Sequence, residues 1–346
     1  MYRLFQKIQI GNIGATGCVS TEINKSVDNF TQSAVIVLPN YKDKNNASFI
    51  ANEAQGLESL ISRDDIVRIW SGYNKPFSEL PLRFSGFVTR MEIKENITIY
   101  CEDYGYVLKQ INVPSKTFTN ATIKTIVDYA LQGANINVEY DDENTLVGDW
   151  VIDNNSVINA LQVLEKLEEI GIRIYFSGTT LRIGGLTEKT GTTKNFIIEH
   201  NVIEDNLIYR DADGANVVIK GISNLDTNEK IERFAYLKNK EIVVSETGIN
   251  GEQRTLNFYN KTATKLENLL RDNFNKYIYT GWNGTFTTFL DPFVDIDDNV
   301  NIFSLQYPEK NGNYKLQAVS TTVDINGAFQ TLELSQLIQP LKKIPL

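Results

Sequence analysis

The chain is short of nearly everything that metal or acid–base chemistry needs. Its 346 residues include one histidine, two cysteines and two methionines. Cys18 and Cys101 lie far apart with no CxxC spacing, so no disulfide scaffold is expected and both are read as buried free thiols. Positive charge is also in deficit: 34 basic against 43 acidic side chains give a net charge of −9. That balance argues against sequence-specific nucleic-acid binding, which rests on Lys and Arg neutralising phosphates. No apolar run approaches the ~18 residues of a membrane span; SAVIVLP at 33–39 is strand-sized. The opening MYRLFQKIQIGN has no apolar signal core with a small-residue cleavage site, which predicts a soluble protein made in the cytoplasm.

Core-forming residues, by contrast, are plentiful. A hydrophobic content of 42% with 10% aromatics supports two or three domains, at about 150 residues each. The acidity is uneven: residues 1–120 carry 13 basic and 12 acidic side chains, whereas 121–210 carry 7 and 14. A solvated acidic face is the plain reading of that middle stretch, and a DNA-repelling surface the sharper one.

The first 110 residues read as strands and turns. RLFQKIQIG, AVIVLP, DIVRIWSG, LRFSGFVTRMEI and NITIYCEDYGYVL are short runs rich in Ile, Val, Tyr and Phe, punctuated by Gly11, Gly14, Pro39-Asn40 and Gly72. That pattern predicts a barrel or sandwich, with ANEAQGLESLI at 51–61 as a short helical connection. From about 115 the period changes. Ile123, Ile126, Val127, Ala130 and Leu131 fall at helical spacing, with Asn120 as N-cap and Gly133 as stop. INVEY follows as a strand. A second helix takes its face from Val157, Leu161, Leu164 and Leu167, with Ser156 near its cap and Gly171 past its end; IRIYFSGTTLRIGG is then a hairpin. Strands resume at FIIEHNVI, LIYRDADGANVVIKGIS and EIVVSE. A third helix follows in KTATKLENLLRDNFNKYI, and the end from Phe286 to Ile338 is strand-like.

One phrase occurs twice. DDIVRIWS at 64–71 returns as DDNVNIFS at 297–304, and in both places it opens the same sequence of events. A strand, a loop, a second strand (FSGFVTRMEI; NYKLQAVSTTVDI), a tight turn and an alternating strand (NITIYCED; FQTLELSQ) follow in order. Asn326-Gly327 marks the second turn. The matched order predicts two barrels on one plan, with Val67 and Val300 pointing inward from equivalent strands. The fold class is thus α+β, mainly β: two similar antiparallel β-barrels with an intervening small α+β unit. The boundaries are 1–111 for the first barrel, 112–195 for the α+β unit, 196–245 with 280–338 for the second barrel, 246–279 for a helical insert and 339–346 for a C-terminal tail.

This layout resembles the baseplate hub proteins of contractile phage tails, the late control protein D family, and their relatives in contractile injection machines. The resemblance rests on four segments in order: the acidic entry strand with the Phe84-x-Gly86-x-Val88 strand after it, KTFTNATIKTIVDYAL, the helix–hairpin at 153–184, and the closing strands from Asp297. It implies a structural protein: a homotrimer whose two barrels per subunit make a ring of six, joining a sixfold tail tube to a threefold central spike. Its implied partners are itself, the tube protein, the spike protein and other baseplate proteins, with no cofactor. Its implied place is the virion tail baseplate or a phage-derived injection particle.

Chemistry is sparse beside this. His200 in FIIEHNVIED has no nucleophile motif near it and reads as structural. GNIGATG at 11–17 has the glycines of a phosphate loop without its Lys-Ser/Thr and reads as a turn. DADG at 211–214 begins like a calcium loop, but position twelve is Ile222 rather than glutamate. DPFVDIDDN at 291–299 gathers Asp291, Asp295, Asp297 and Asp298, which reads as an acidic loop entering a strand ahead of a weak cation site. With 43 acidic residues a carboxylate pair can always be chosen, so no catalytic, cofactor or metal residue is assigned. The rival readings are a tail-associated cell-wall or polysaccharide hydrolase and a monomeric carbohydrate-binding tail module.

Overall fold

A computed structural model describes residues 3–39, 60–141, 143–152, 158–169, 172–184, 192–210, 217–225, 229–239, 241–259, 261–277 and 281–340. The expected helix at 51–61, the cap at Ser156, Val157, Gly171 and the DADG loop fall wholly or largely outside those residues.

The N-terminal runs form seven strands: β1 Leu4–Ile10, β2 Ile13–Ala15, β3 Ser20–Ser26, β4 Ser33–Pro39, β5 Ile66–Tyr73, β6 Leu82–Ile93 and β7 Asn96–Glu102. They pair in the order β3-β4-β7-β6-β5-β1-β2. Alternation decides which side chains go in: Ala34, Ile36 and Leu38 from β4 meet Ile97, Ile99 and Cys101 from β7 and Val67 and Ile69 from β5 in one core. A single sheet whose strands all point one face into one core must curl around it. Side chains tie β1 back to β3, the strand at the far end of the sheet, since Gln6 on β1 donates to Thr21 on β3 at 2.7 Å. The Cys18 thiol in turn donates to the Gln6 carbonyl at 2.9 Å. Both cysteines are free thiols, Cys101 buried and Cys18 partly so, and burial pushes each up to about 12.

The middle is the α+β unit. Its elements are α1 Gly105–Leu108, β8 Asn112–Val113, β9 Lys116–Thr122, α2 Ile123–Ala130, β10 Asn137–Tyr140, β11 Leu146–Ile152, β12 Ile158–Asn159, α3 Ala160–Glu169, β13 Arg173–Ser177 and β14 Thr180–Gly184. The cap of α2 is Thr122, not Asn120. Thr122 has an extended backbone and accepts from the Thr125 amide, while Asn120 sits at φ 49 within the preceding strand. α3 begins on a reciprocal pair: Asn159 accepts from the Gln162 amide at 2.9 Å, and Gln162 accepts from the Asn159 amide at 3.0 Å. As its spacing predicts, Leu164 and Leu167 are fully buried against Ile174, Phe176, Leu181 and Ile183 of the β13–β14 hairpin.

The remaining elements are β15 Thr193–Ile197, α4 Ile198–Asn201, β16 Val202–Arg210, β17 Val217–Asn224, β18 Lys230–Lys238, β19 Glu241–Ser245, β20 Glu252–Tyr259, α5 Ala263–Tyr277, β21 Gly281–Phe289, β22 Asn299–Phe303, β23 Gly312–Asp324 and β24 Gly327–Pro340. Six of them pair in the order β16-β21-β24-β23-β22-β15, repeating the strand order of the first set. Their core joins Phe196, Phe286, Val300, Ile302, Leu316 and Leu332. Among the described residues no ladder joins the outer strands of either set, so each curls around its core without complete hydrogen-bonded closure.

One expectation changes here. Residues 217–245, placed by the sequence in the second barrel, pair instead as a separate sheet ordered β19-β18-β17-β20, and β20 takes up part of the expected helical insert. The reason is packing: Ile219, Ala235 and Phe258 from this sheet close on Leu266, Leu270 and Phe274 of α5. Sheet and helix form one layer pair with its own core, inserted between β16 and β21.

Candidate assembly joint

The repeated phrase survives at the level of register. In the first set Val67 faces Gly86 and Ile69 faces Phe84; in the second Val300 faces Tyr314 and Ile302 faces Gly312. Two residues beyond Gly86 and Tyr314 lie Val88 and Leu316, which face Cys101 on β7 and Leu334 on β24. Cys101 then faces Ala34 and Leu334 faces Gly284, and these in turn face Ile23 on β3 and Leu207 on β16. Every core position named in this chain has its counterpart. Val67, Ile69, Val300 and Ile302 are all buried, as the alternation predicts. The pairing direction departs from the plan at the end strand: β1 pairs antiparallel with β5, whereas β15 pairs parallel with β22.

The two sets meet in one continuous sheet, because β3 pairs antiparallel with β23 from Thr21 opposite Val323 to Ser26 opposite Ala318. A buried polar knot backs this ladder. Arg83 on β6 is 2% exposed and donates to the Ser71 carbonyl at 3.1 Å, to Gln330 at 3.2 Å and to the Leu290 carbonyl at 2.6 Å. Its guanidinium also lies 4.5 Å from the Phe293 ring centre. Burial pushes Arg83 down to about 10 against the opposing pull of Asp295 and Asp291, which leaves it charged at neutral pH. Gln330 donates on to the Pro292 carbonyl at 2.7 Å. The Tyr73 hydroxyl donates to the Ala328 carbonyl at 2.9 Å, and Lys25 pairs with Asp295 at 2.9 Å. A buried charge held by several fixed acceptors tolerates little movement, so this knot sets the angle between the two sets.

Gly86, the central residue of the Phe-x-Gly-x-Val strand, stands where β6 leaves β5 and takes up β7. A Cβ there would lie 2.1 Å from the Glu102 carbonyl oxygen and 2.9 Å from the Asp103 Cα. Only glycine allows that crossing. Its counterpart in the second set is the buried Tyr314, whose hydroxyl donates to the Lys310 carbonyl at 2.8 Å, so the crossing is built differently there.

The carboxylates of the acidic loop at 291–299 go to separate partners. Asp295 goes to Lys25, Asp297 accepts from Tyr175 at 2.7 Å, Asp298 accepts from the Thr192 amide and hydroxyl at 2.8 and 2.9 Å, and Asp291 lies 3.6 Å from Lys75. The loop thus pins the α+β unit and both sets together. His200 is exposed on α4. Its neighbour Glu199 accepts from Ser304 at 2.6 Å and from the Leu305 and Gln306 amides; burial alone would raise Glu199, but these bonds prevail and bring it to about 2. Of GNIGATG, Gly11 and Asn12 form the β1–β2 turn, with Gly11 at φ 54, and Ile13–Ala15 is the strand β2 itself.

Two features had no signal in the sequence. Arg83 meets Gln330 across 247 positions, and nothing local marks either as a joint residue. The second is a cavity of about 320 Å³ between α5 and the α+β unit, lined by Leu146, Val147, Ile172, Leu269, Lys261 and Lys265 among others. Lys261 is 6% exposed, and burial, helped by Lys265, lowers it to about 8.

No family model matches the sequence, and none of the curated proteins matches it. Solved structures do. The 43 kDa tail protein of prophage MuSo2 from Shewanella oneidensis is 15% identical, with 96% of this chain and 98% of that one covered at a TM-score of 0.62. A tail protein from Neisseria meningitidis MC58 gives 11% identity, 96% of each chain and a TM-score of 0.67. An Escherichia coli component of the type VI secretion system, described as structurally similar to the T4 tail proteins gp27 and gp5, gives 9% identity, 97% and 79% coverage and a TM-score of 0.58. Nearly the whole of this chain therefore has the fold of phage tail proteins and of a secretion-system component built like them.

Proposed function

We propose that the chain is a structural hub subunit of a phage-type tail or contractile injection particle, acting by assembly. Three copies make a ring of six strand sets that joins a sixfold tube to a threefold spike. The observation that carries this reading is the internal duplication: two sets with one strand order and one core register, locked together by the β3–β23 ladder and the Arg83 knot. Three chains can meet six equivalent partners only if each offers a similar surface twice, and a closed ring needs matched surfaces at every joint. The shared fold with tail proteins over 96% of the chain supports the same setting. Obligate interfaces of this kind bury on the order of 2,000 Å² or more.

The test sets the hub against its rivals. Co-expressed with the neighbouring tube and spike genes, the protein is expected to co-purify with both in three copies. Turnover of peptidoglycan or capsule polysaccharide by the purified chain, abolished by changing one carboxylate pair, would replace this reading with a hydrolase. Saturable sugar binding by a monomer that ignores tube and spike would replace it with a carbohydrate-binding module.

A further inference from the structure

The joint inside the chain has a counterpart that no strand fills among the described residues. β3 is the outer strand of the first set, and it docks on the stretch of β23 beyond the part that β22 covers: β22 pairs with 312–315 and β3 with 318–323. The equivalents of these two partners are β16 and β6. Among the described residues β16 pairs with β21 on one edge and with nothing on the other. β6 likewise pairs with β5 only up to Phe87, and beyond the Val88 backbone bonds to Asp64 and Asp65 no strand among the described residues lies on the same edge.

Both open edges carry apolar side chains in water. On β16, Ile203 is 48% exposed, Ile208 66% and Tyr209 54%; at the end of β6, Ile93 is 49% exposed. A nine-residue open edge of this kind is an association template unless something covers it. Among the described residues the sheet's other ends are the three-residue β2 and the five-residue β15, shorter edges of the kind that proteins leave uncovered.

We propose that β16 of one copy adds antiparallel to the end of β6 of the next copy, repeating between chains the joint that β3 and β23 make within one. The register follows from the equivalences above. Ile23 opposite Thr321, Asn24 opposite Ser320 and Lys25 opposite Val319 become Leu207 opposite Ile93, Ile208 opposite Glu92 and Tyr209 opposite Met91. The occupant is therefore a second copy of this chain. The joint rests on the ring reading and adds to it which strands meet, in which direction and in which register.

Directly opposed residues of an antiparallel pair have Cα atoms about 4.5–5.5 Å apart, within reach of a disulfide. The experiment uses the full chain carrying Ile208→Cys and Glu92→Cys, co-expressed with tube and spike and oxidised gently. Covalent dimers and trimers on denaturing gels, absent from either single variant, are the expected result. The chain carrying Asn24→Cys and Ser320→Cys serves as control: oxidation should join its two added thiols within one chain, so it should lose both thiols and still run as a monomer on the gel. Three copies in the complex with the control bridge formed, but no bridge between chains, would overturn the joint and leave the ring standing. A complex with one or two copies would overturn both.

Discussion

At the scale of single residues, the informative groups are buried polar ones. Asp103, just after β7, accepts from the Gly105 amide at 2.9 Å through Oδ1, while its Oδ2 has no partner. Burial, only partly opposed by the backbone bonds to Gly105 and Gln32, raises it to about 7. The folded state then holds a proton that the unfolded chain releases near its ordinary value of 3.8. The stability this contributes is present below about pH 4 and is lost as pH rises through about 7. Asp103→Asn keeps the acceptor for Gly105 and removes that loss, so its stability relative to the parent chain should climb between pH 4.5 and pH 8 in urea melts. Parallel pH profiles would contradict the assignment. Lys261 runs the other way: lowered to about 8 from 10.5, it contributes stability above pH 10.5 that is lost as pH falls through about 8. Lys261→Met should therefore raise the melting temperature at pH 7 and flatten the profile between pH 8 and 10.5; an unchanged or lower value at pH 7 would count against it. Neither residue was legible in the sequence, because burial of one polar side chain is decided by distant chain segments. The small errors have local causes. The hairpin turn centres on Ile325–Asn326, with Asp324 opposite Gly327, so the Asn-Gly signal was one residue out of register.

At the scale of elements, alternation and helical spacing were legible wherever one face meets one core. The α3 face illustrates it. Leu164→Ala or Leu167→Ala should each cost roughly 2–5 kcal/mol, since both side chains are fully buried against the β13–β14 hairpin. A loss below about 0.5 kcal/mol in denaturant melts would mean that this face meets solvent. β6 gives a stronger case. Gly86→Ala would place a methyl against the Glu102–Asp103 backbone, and with main chain on both sides neither can yield. Loss of more than about 4 kcal/mol, or failure to fold, is expected; a melt close to the parent chain would show that β6 does not cross there. What the sequence could not show was sheet membership. VVIKGIS and EIVVSE read correctly as strands, yet the pattern of a strand is the same in either sheet. β17 pairs in parallel with β20, a partner reached only after two intervening strands.

At the scale of the whole molecule, the doubled phrase was the most informative feature of the sequence, because it pointed to a repeated register rather than to a site. What it left open was how the two sets meet. That depends on contacts such as Arg83 with Gln330 and Lys25 with Asp295, which span more than two-thirds of the chain and leave no local trace. The central claim is that three copies present six equivalent strand sets around one axis. End-on imaging of the complex with tube and spike tests it most directly. The expected view is three copies of this chain as six similar lobes about a central channel, aligned with the sixfold tube on one side and the threefold spike on the other. Lobes that fall into two unrelated shapes, or a single copy lying off the tail axis, would contradict it.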